Sequence, residues 1–322
     1  MAENVEILLT AAIIAIGFRI FFYQTFSIPT NSMIPTYYGM TAILEDKRDN
    51  SWEDIFLRGI TYHAISCRNG GRVYIPINNR QRAVQQQSFV SYKVVSKRLF
   101  FLFPRYFRRY TLLVGNENVS VDVPLEFDLE STLVEQFFPH LHSRRISDAF
   151  AHIIPKEKDG QLLLPTSVEL RPGENVLSFR LQRGDILLVN RFSLHFFPPQ
   201  RGEPIVFATN RVPALRGDDR YYIKRIVGQW GDYISILDGQ LWRNGSPSDD
   251  AHAICMNNEH IFPYGGYFPL GNLADGEFLI PKGTVFVLGD NSENSYDSRF
   301  FGPIPRDAII GRPSKVLFPS RR

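Results

Sequence analysis

Cysteine is nearly absent from this chain. Cys67 and Cys255 are the only two in 322 residues, which leaves no Cys-rich metal cluster and no C-x-x-C redox pair. In an oxidising compartment the two could pair with each other, but neither is expected to matter for mechanism. Excess charge of one sign is missing too. Lys plus Arg number 36 against 33 Asp plus Glu, too even a balance to argue for nucleic acid unless the basic residues cluster. No G-x-x-x-x-G-K-[ST] loop, H-E-x-x-H pair or G-x-S-x-G elbow occurs, so nucleotide hydrolysis, zinc proteolysis and the elbow-type Ser-His-Asp hydrolases have no support. The nearby histidines His140 and His142 lack acidic partners and read as structural. No metal or cofactor is expected. Fixed-period repeats and low-complexity tracts are absent, and long helical patterns are few. What is abundant is 21 prolines, 23 glycines and 26 phenylalanines among many Val, Ile and Tyr runs, a composition that favours a β-rich body.

The one strongly apolar run lies at the amino terminus, from Ile7 to Phe18 and again, after Arg19, from Ile20 to Tyr23. About 20 mostly apolar residues cover the hydrocarbon of a bilayer. Arg19 can snorkel, and Phe21, Phe22 and Tyr23 would form an aromatic belt. A cleaved signal peptide is the rival reading, disfavoured because residues 1–6 hold Glu3 and Glu6 and no Lys or Arg. A buried core helix is a third, disfavoured by the absence of a polar face. The expectation is a retained single-pass anchor over residues 1–24.

The remainder divides into a serine-bearing loop (25–37), an irregular aromatic stretch (38–181) and a more regular carboxyl-terminal part (182–322). The last is a series of short β-prone runs punctuated by Gly-Asp, Asp-Gly and Asn-Gly pairs, the turns that join antiparallel strands. It predicts an all-β sandwich or barrel. Basic residues cluster in one place, the segment Lys97–Tyr110, where they interleave with aromatics. Three readings are open there: a strand pair with a basic outer face, a surface lying on an anionic bilayer, or stacking on single-stranded nucleic acid. With an amino-terminal anchor expected, the bilayer is preferred over nucleic acid.

A serine hydrolase without a histidine base can use lysine, provided desolvation lowers the amine's pKa by some two to four units from about 10.4. Lys224, in Tyr-Tyr-Ile-Lys-Arg-Ile-Val-Gly, suits this, since strand alternation would put Tyr222, Lys224 and Ile226 on one face. The alternative is an edge-strand lysine placed against aggregation. A serine candidate is Ser32, set between Pro29 and Pro35, which restrict the backbone around it and keep it out of a helix.

Three ordered segments carry a resemblance. Ile28–Thr36 fits I-P-[ST]-x-S-M-x-P-T, Tyr222–Asp232 fits Y-[IV]-K-R-x-[IV]-G-x-x-G-D, and Gly289–Gly302 fits G-D-N-x-x-x-S-x-D-S-R-x-[FWY]-G. In this the chain resembles the bacterial type I signal peptidase family, membrane-bound Ser/Lys serine endopeptidases. The resemblance implies a mainly β fold with a signal-peptidase-type antiparallel β-sheet or barrel catalytic body. It also implies that Ser32 is the nucleophile and Lys224 its base, that Ser295 bonds the lysine amine, and that Thr30 serves the oxyanion beside the Ser32 N–H. Arg225, Asp290, Asp297 and Arg299 would form bracing charge pairs, and Met33 would wall the site.

The implied substrates are preprotein signal peptides. The implied partners are membrane lipid and, as a candidate, the translocation machinery. The implied place is the bacterial plasma (inner) membrane, with the catalytic domain on the external or periplasmic side. Two departures stand out. The G-D-x-[IV]-x-V segment that normally follows the serine motif within a few residues begins only at Gly184, so 38–181 reads as a β-rich inserted accessory domain whose role the family does not supply. The second is Arg201–Phe207, which has Glu203 and Pro204 where Asp and Ile are usual. Rival readings are a self-cleaving repressor, which would lack the anchor, and a binding protein on an inactive peptidase scaffold.

Overall fold

The computed structural model describes residues 2–45, 60–78, 89–99, 103–141, 146–149, 153–217, 219–262, 264–274 and 276–318. His142 of the histidine pair and residues 100–102 of the basic aromatic segment lie outside them. The chain forms two compact units, Met1–Gly39 with Gly184–Arg322, and Met40–Arg183. Both are dominated by antiparallel strands.

The first unit opens with a helix, Ala2–Phe21, about 30 Å long at 1.5 Å per residue. Val5, Ile7, Leu9, Ile13, Ile14, Ile16 and Phe21 all stand exposed along it. Its 20 residues include Glu3, Glu6 and Arg19. Among the described residues no helix is long and apolar enough to cross a membrane.

A seven-stranded sheet follows, in the order Tyr23–Ser27, Ile186–Asn190, Ile309–Phe318, Pro204–Ala208, Tyr221–Gln229, Thr284–Leu288 and Ile304–Pro305. Strand alternation distributes its apolar side chains between separate cores. Ile205 and Phe207 pack with Ile226, Val285 and Val287, while Val206 and Ala208 pack with Ile28, Met33, Leu187 and Ile223. A four-stranded sheet, Ser246–Pro247, Gln240–Arg243, Tyr233–Leu237 and Phe278–Leu279, is turned at Asp238-Gly239 and Asn244-Gly245. All four of these residues have positive φ, the conformation that two-residue hairpin turns require and that Asp-Gly and Asn-Gly supply.

The second unit holds a three-stranded sheet, Thr41–Leu44, Asn175–Gln182 and Ile60–Ser66, and a six-stranded one. Val73, Ile75, Leu112, Val121 and Val123 of the larger sheet share one core with Leu133 and Phe137 of the helix Glu130–Phe137 and with Val176 and Phe179 of the smaller sheet. A long hairpin pairs Tyr92–Leu99 with Phe103–Val114, from Tyr92 opposite Tyr110 to Leu99 opposite Phe103. The next strand, Glu117–Pro124, accompanies it only as far as Phe107 opposite Pro124. Cys67 and Cys255 are both free thiols. Cys67 is buried and bonds the Arg171 carbonyl.

Candidate active site

The serine loop is held from several sides. Ile28 N–H donates to the Asp185 carbonyl at 2.9 Å, and Asn31 Oδ1 accepts from the Gly39 N–H at 2.9 Å. Asn291 grips the centre of the loop, its N–H donating to the Ser32 carbonyl at 3.0 Å and its amide Nδ2 to the Asn31 carbonyl at 3.0 Å. The peptide bond between Ile34 and Pro35 is cis. Met33 is fully buried in the core behind the loop. Ser32 itself is 5% exposed.

Lys224 lies on Tyr221–Gln229, flanked by Pro204–Ala208 and Thr284–Leu288. The strand is therefore internal to the sheet, which removes the edge-strand alternative. It is buried continuously from Ile223 to Gly228, so both of its faces are covered rather than one. Lys224 Nζ and Ser32 Oγ are hydrogen-bonded at 2.6 Å, and Nζ also donates to the Ile223 carbonyl at 3.0 Å. Burial is the largest influence on this amine and holds its pKa down to about 8, from an ordinary 10.5. The Asp297 and Asp290 carboxylates pull it upward and Arg299 pushes it further down. Desolvation wins because removing an ammonium from water costs more than these carboxylates restore.

The four charged residues form two pairs. Arg225 binds Asp290 through Nε at 2.7 Å and Nη2 at 2.6 Å, and its Nη1 donates to the Gly202 carbonyl at 2.6 Å. Thr36, at the end of the serine loop, donates its hydroxyl to the same Asp290 carboxylate. Arg299 binds Asp297 through Nε at 2.8 Å and Nη2 at 2.9 Å, with both residues fully buried. Asp297 Oδ2 in turn accepts from the Gly289 N–H at 3.1 Å. Charge-assisted, two-point contacts of this kind fix orientation as well as adding energy.

Thr30 Oγ1 stands 3.4 Å from Ser32 Oγ. Ser295 needs a correction. Its Oγ is buried but makes no hydrogen bond, so the expected bond to the Lys224 amine is absent. The amine is instead engaged by Ser32 and the Ile223 carbonyl.

Sequence reasoning quoted Gly289, Asn31, Thr36 and Asn291 inside motifs without giving them work. A Cβ on Gly289 would come 2.2 Å from Ser295 Oγ and 2.5 Å from the Ser32 carbonyl oxygen, so only glycine lets these groups crowd together. Gly184 is similar, since a Cβ there would lie 1.9 Å from the Ile28 carbonyl oxygen and 2.9 Å from the Gly39 carbonyl carbon. The signal available in sequence was glycine inside an otherwise bulky motif. Among the described residues no group of His, Cys, Asp and Glu could hold a metal ion.

Residues 170–318 match the family model described as signal peptidase, peptidase S26. The serine loop lies outside that span. A probable signal peptidase I-1 of Synechocystis is 34% identical over 153 residues, covering 47% of this chain and 70% of the relative. A signal peptidase I of Leptolyngbya laminosa is 32% identical over 156 residues, covering 47% of this chain and 68% of the relative. A crystal structure of a signal peptidase I from Enterococcus faecalis aligns with a TM-score of 0.30 at 25% identity, over 37% of this chain and 98% of that one. With the Synechocystis relative 34% identical over 70% of its length, and with Ser32 and Lys224 in contact, this chain belongs to the signal peptidase I family.

Proposed function

We propose that this chain is a serine endopeptidase that removes signal peptides from preproteins, with Ser32 as nucleophile and Lys224 as general base. One observation carries the assignment: the Ser32 hydroxyl lies 2.6 Å from a buried amine whose pKa is lowered to about 8. A protonated lysine could not take a proton, whereas one with this pKa is neutral in a useful fraction near neutral pH. The neutral amine accepts the Ser32 proton as Oγ attacks the scissile carbonyl. The charge that develops on the carbonyl oxygen is met by the Ser32 N–H and the Thr30 hydroxyl. The lysine then gives its proton to the departing amine, leaving an ester on Ser32. A water molecule, deprotonated by the same lysine, hydrolyses that ester and restores the serine. Arg225 with Asp290 and Arg299 with Asp297 brace the site without reacting, and Met33 forms part of its wall.

The substrate binds as an extended strand beside the site, with small side chains, typically alanine, at the first and third positions before the cut. The helix Ala2–Phe21 anchors the chain at the bacterial plasma membrane in a single pass, with the catalytic unit on the external or periplasmic side. Support for the anchor is the row of exposed apolar side chains from Val5 to Ile16, with its three charged residues confined to the ends of the helix. Met40–Arg183 acts as an accessory domain inserted after the serine loop. The test is hydrolysis of a purified preprotein in detergent: wild type cleaves at the signal-peptide boundary, and Ser32→Ala and Lys224→Ala do not. Undiminished cleavage by either variant would overturn the assignment.

A further inference from the structure

The hairpin of Tyr92–Leu99 and Phe103–Val114 bears two unfavourable pairings. Lys93 stands directly opposite Arg109, and Lys97 directly opposite Arg105. Like charges facing each other across a strand pair repel. Because the two pairs are four residues apart along the strand, they share one face, with Val95 and Phe107 paired between them. Among the described residues one carboxylate is paired with this face. Asp122 binds Lys97 at 2.8 Å and Arg109 at 2.7 Å, while Lys93 and Arg105 are exposed. Among the described residues, two of the four cations on this face are thus paired with Asp122.

The hairpin is also poorly covered. Past Phe107 opposite Pro124 it loses its third strand and, among the described residues, continues as two strands alone, an arrangement that is marginal in water. Val94 and Tyr106 stand more than half exposed on the hairpin's other face, where Arg108 lies opposite Val94.

We infer that this hairpin is a docking surface for an anionic lipid bilayer. A bilayer that surrounds the two-stranded part of the ribbon would meet both faces at once: acidic headgroups would relieve the opposed cations on one, and the interfacial zone would take up the exposed Val94 and Tyr106 on the other. Nucleic acid would answer the cations but leave the apolar side chains uncovered. The inference rests on the proposal that the enzyme works at a membrane, but it concerns Met40–Arg183, where no catalytic residue lies.

The amino-terminal helix can hold the protein on any vesicle, so the readout must be local to the hairpin. Full-length protein is digested briefly with trypsin, alone or with vesicles of phosphatidylcholine with and without phosphatidylglycerol, and each cut is followed by mass spectrometry. Anionic vesicles are expected to slow cutting after Lys97 and Arg105 by about tenfold or more, with the protection lost at high salt and cutting after Arg216 unchanged. The double variant Lys97→Glu/Arg105→Glu should lose protection at two of the remaining hairpin sites, Lys93 and Arg109, yet cleave preprotein normally in detergent. Equal cutting with and without phosphatidylglycerol would overturn the inference. So would protection by a detergent extract of membrane proteins but not by lipid alone, which would identify a protein partner. Loss of preprotein cleavage in detergent would count against the peptidase assignment instead and leave the digestion result standing.

Discussion

Gly289 and Ser295 are in such close contact that a methyl group on the glycine would fall 2.2 Å from the serine hydroxyl. The same methyl would sit 2.5 Å from the carbonyl oxygen of Ser32. Ser295 has a side chain that can turn, but the Ser32 carbonyl is backbone and can yield only if the serine loop shifts.

Gly289→Ala is therefore expected to displace Ser32 from Lys224. A misplacement approaching 1 Å costs on the order of 100-fold in rate, and kcat/KM for preprotein cleavage should fall by that order. Circular dichroism should stay native, because Gly289 has no side chain in the core to lose. Cleavage within a factor of two of wild type would show that the loop adapts.

The pH profile follows from the state of the base. Only neutral Lys224 can accept the serine proton, and the neutral fraction grows as pH rises through the amine's pKa of about 8. On this account kcat/KM rises roughly tenfold per pH unit below that value and levels above it. Activity that increases on acidification through the same range would contradict a lysine base.

A buried amine also costs stability. Between pH 8 and 10.5 the unfolded chain holds a proton on Lys224 that the folded chain has released, so folding is favoured as pH rises across that window. Below it the folded state carries the full penalty of a buried ammonium, on the order of 3 kcal/mol. Lys224→Met keeps the stem and removes the charge. It should abolish cleavage and raise Tm at pH 6.5, with the gain shrinking toward zero by pH 10.5. A gain independent of pH would point to packing instead.

Ser295→Ala separates folding from turnover. The hydroxyl is buried with no hydrogen bond, and removing an unsatisfied polar group is neutral or stabilising. Tm should hold or rise slightly. A fall in kcat at unchanged Tm would place the hydroxyl's contribution in the reacting complex, whereas a lower Tm would mean it is already bonded in the resting protein.

Much of the first unit was legible because its turns are chemically specific. Asp238-Gly239 and Asn244-Gly245 supply the positive φ that only a few residues tolerate, so the strands between them could be read directly. Ser32 and Lys224 were legible as motif residues, although 192 positions separate them. The contacts of Asn291 and Gly289 were not, because they depend on how closely two backbones approach, and no periodicity encodes that. Alternation grouped Tyr222, Lys224 and Ile226 on one face, but the strand is covered on both faces, so alternation alone did not single out the buried lysine. The stretch 38–181 read as irregular because strands such as Gly71–Ile77 carry register shifts against their neighbours, which break the period-two signal.

The approach of Gly184 to Ile28 and Gly39 has a consequence for how the protein assembles in time. The chain leaves the catalytic unit at Gly39 and returns at Gly184, two points that touch the same loop. While Met40–Arg183 is unfolded, bringing those points together costs on the order of 3 kcal/mol more in closure entropy than a tight turn would. Once that segment has folded with its ends adjacent, the cost is already met. Ser32 precedes the segment and Lys224 follows it, so folding of the segment with its ends adjacent lowers the entropic cost of bringing these two residues together.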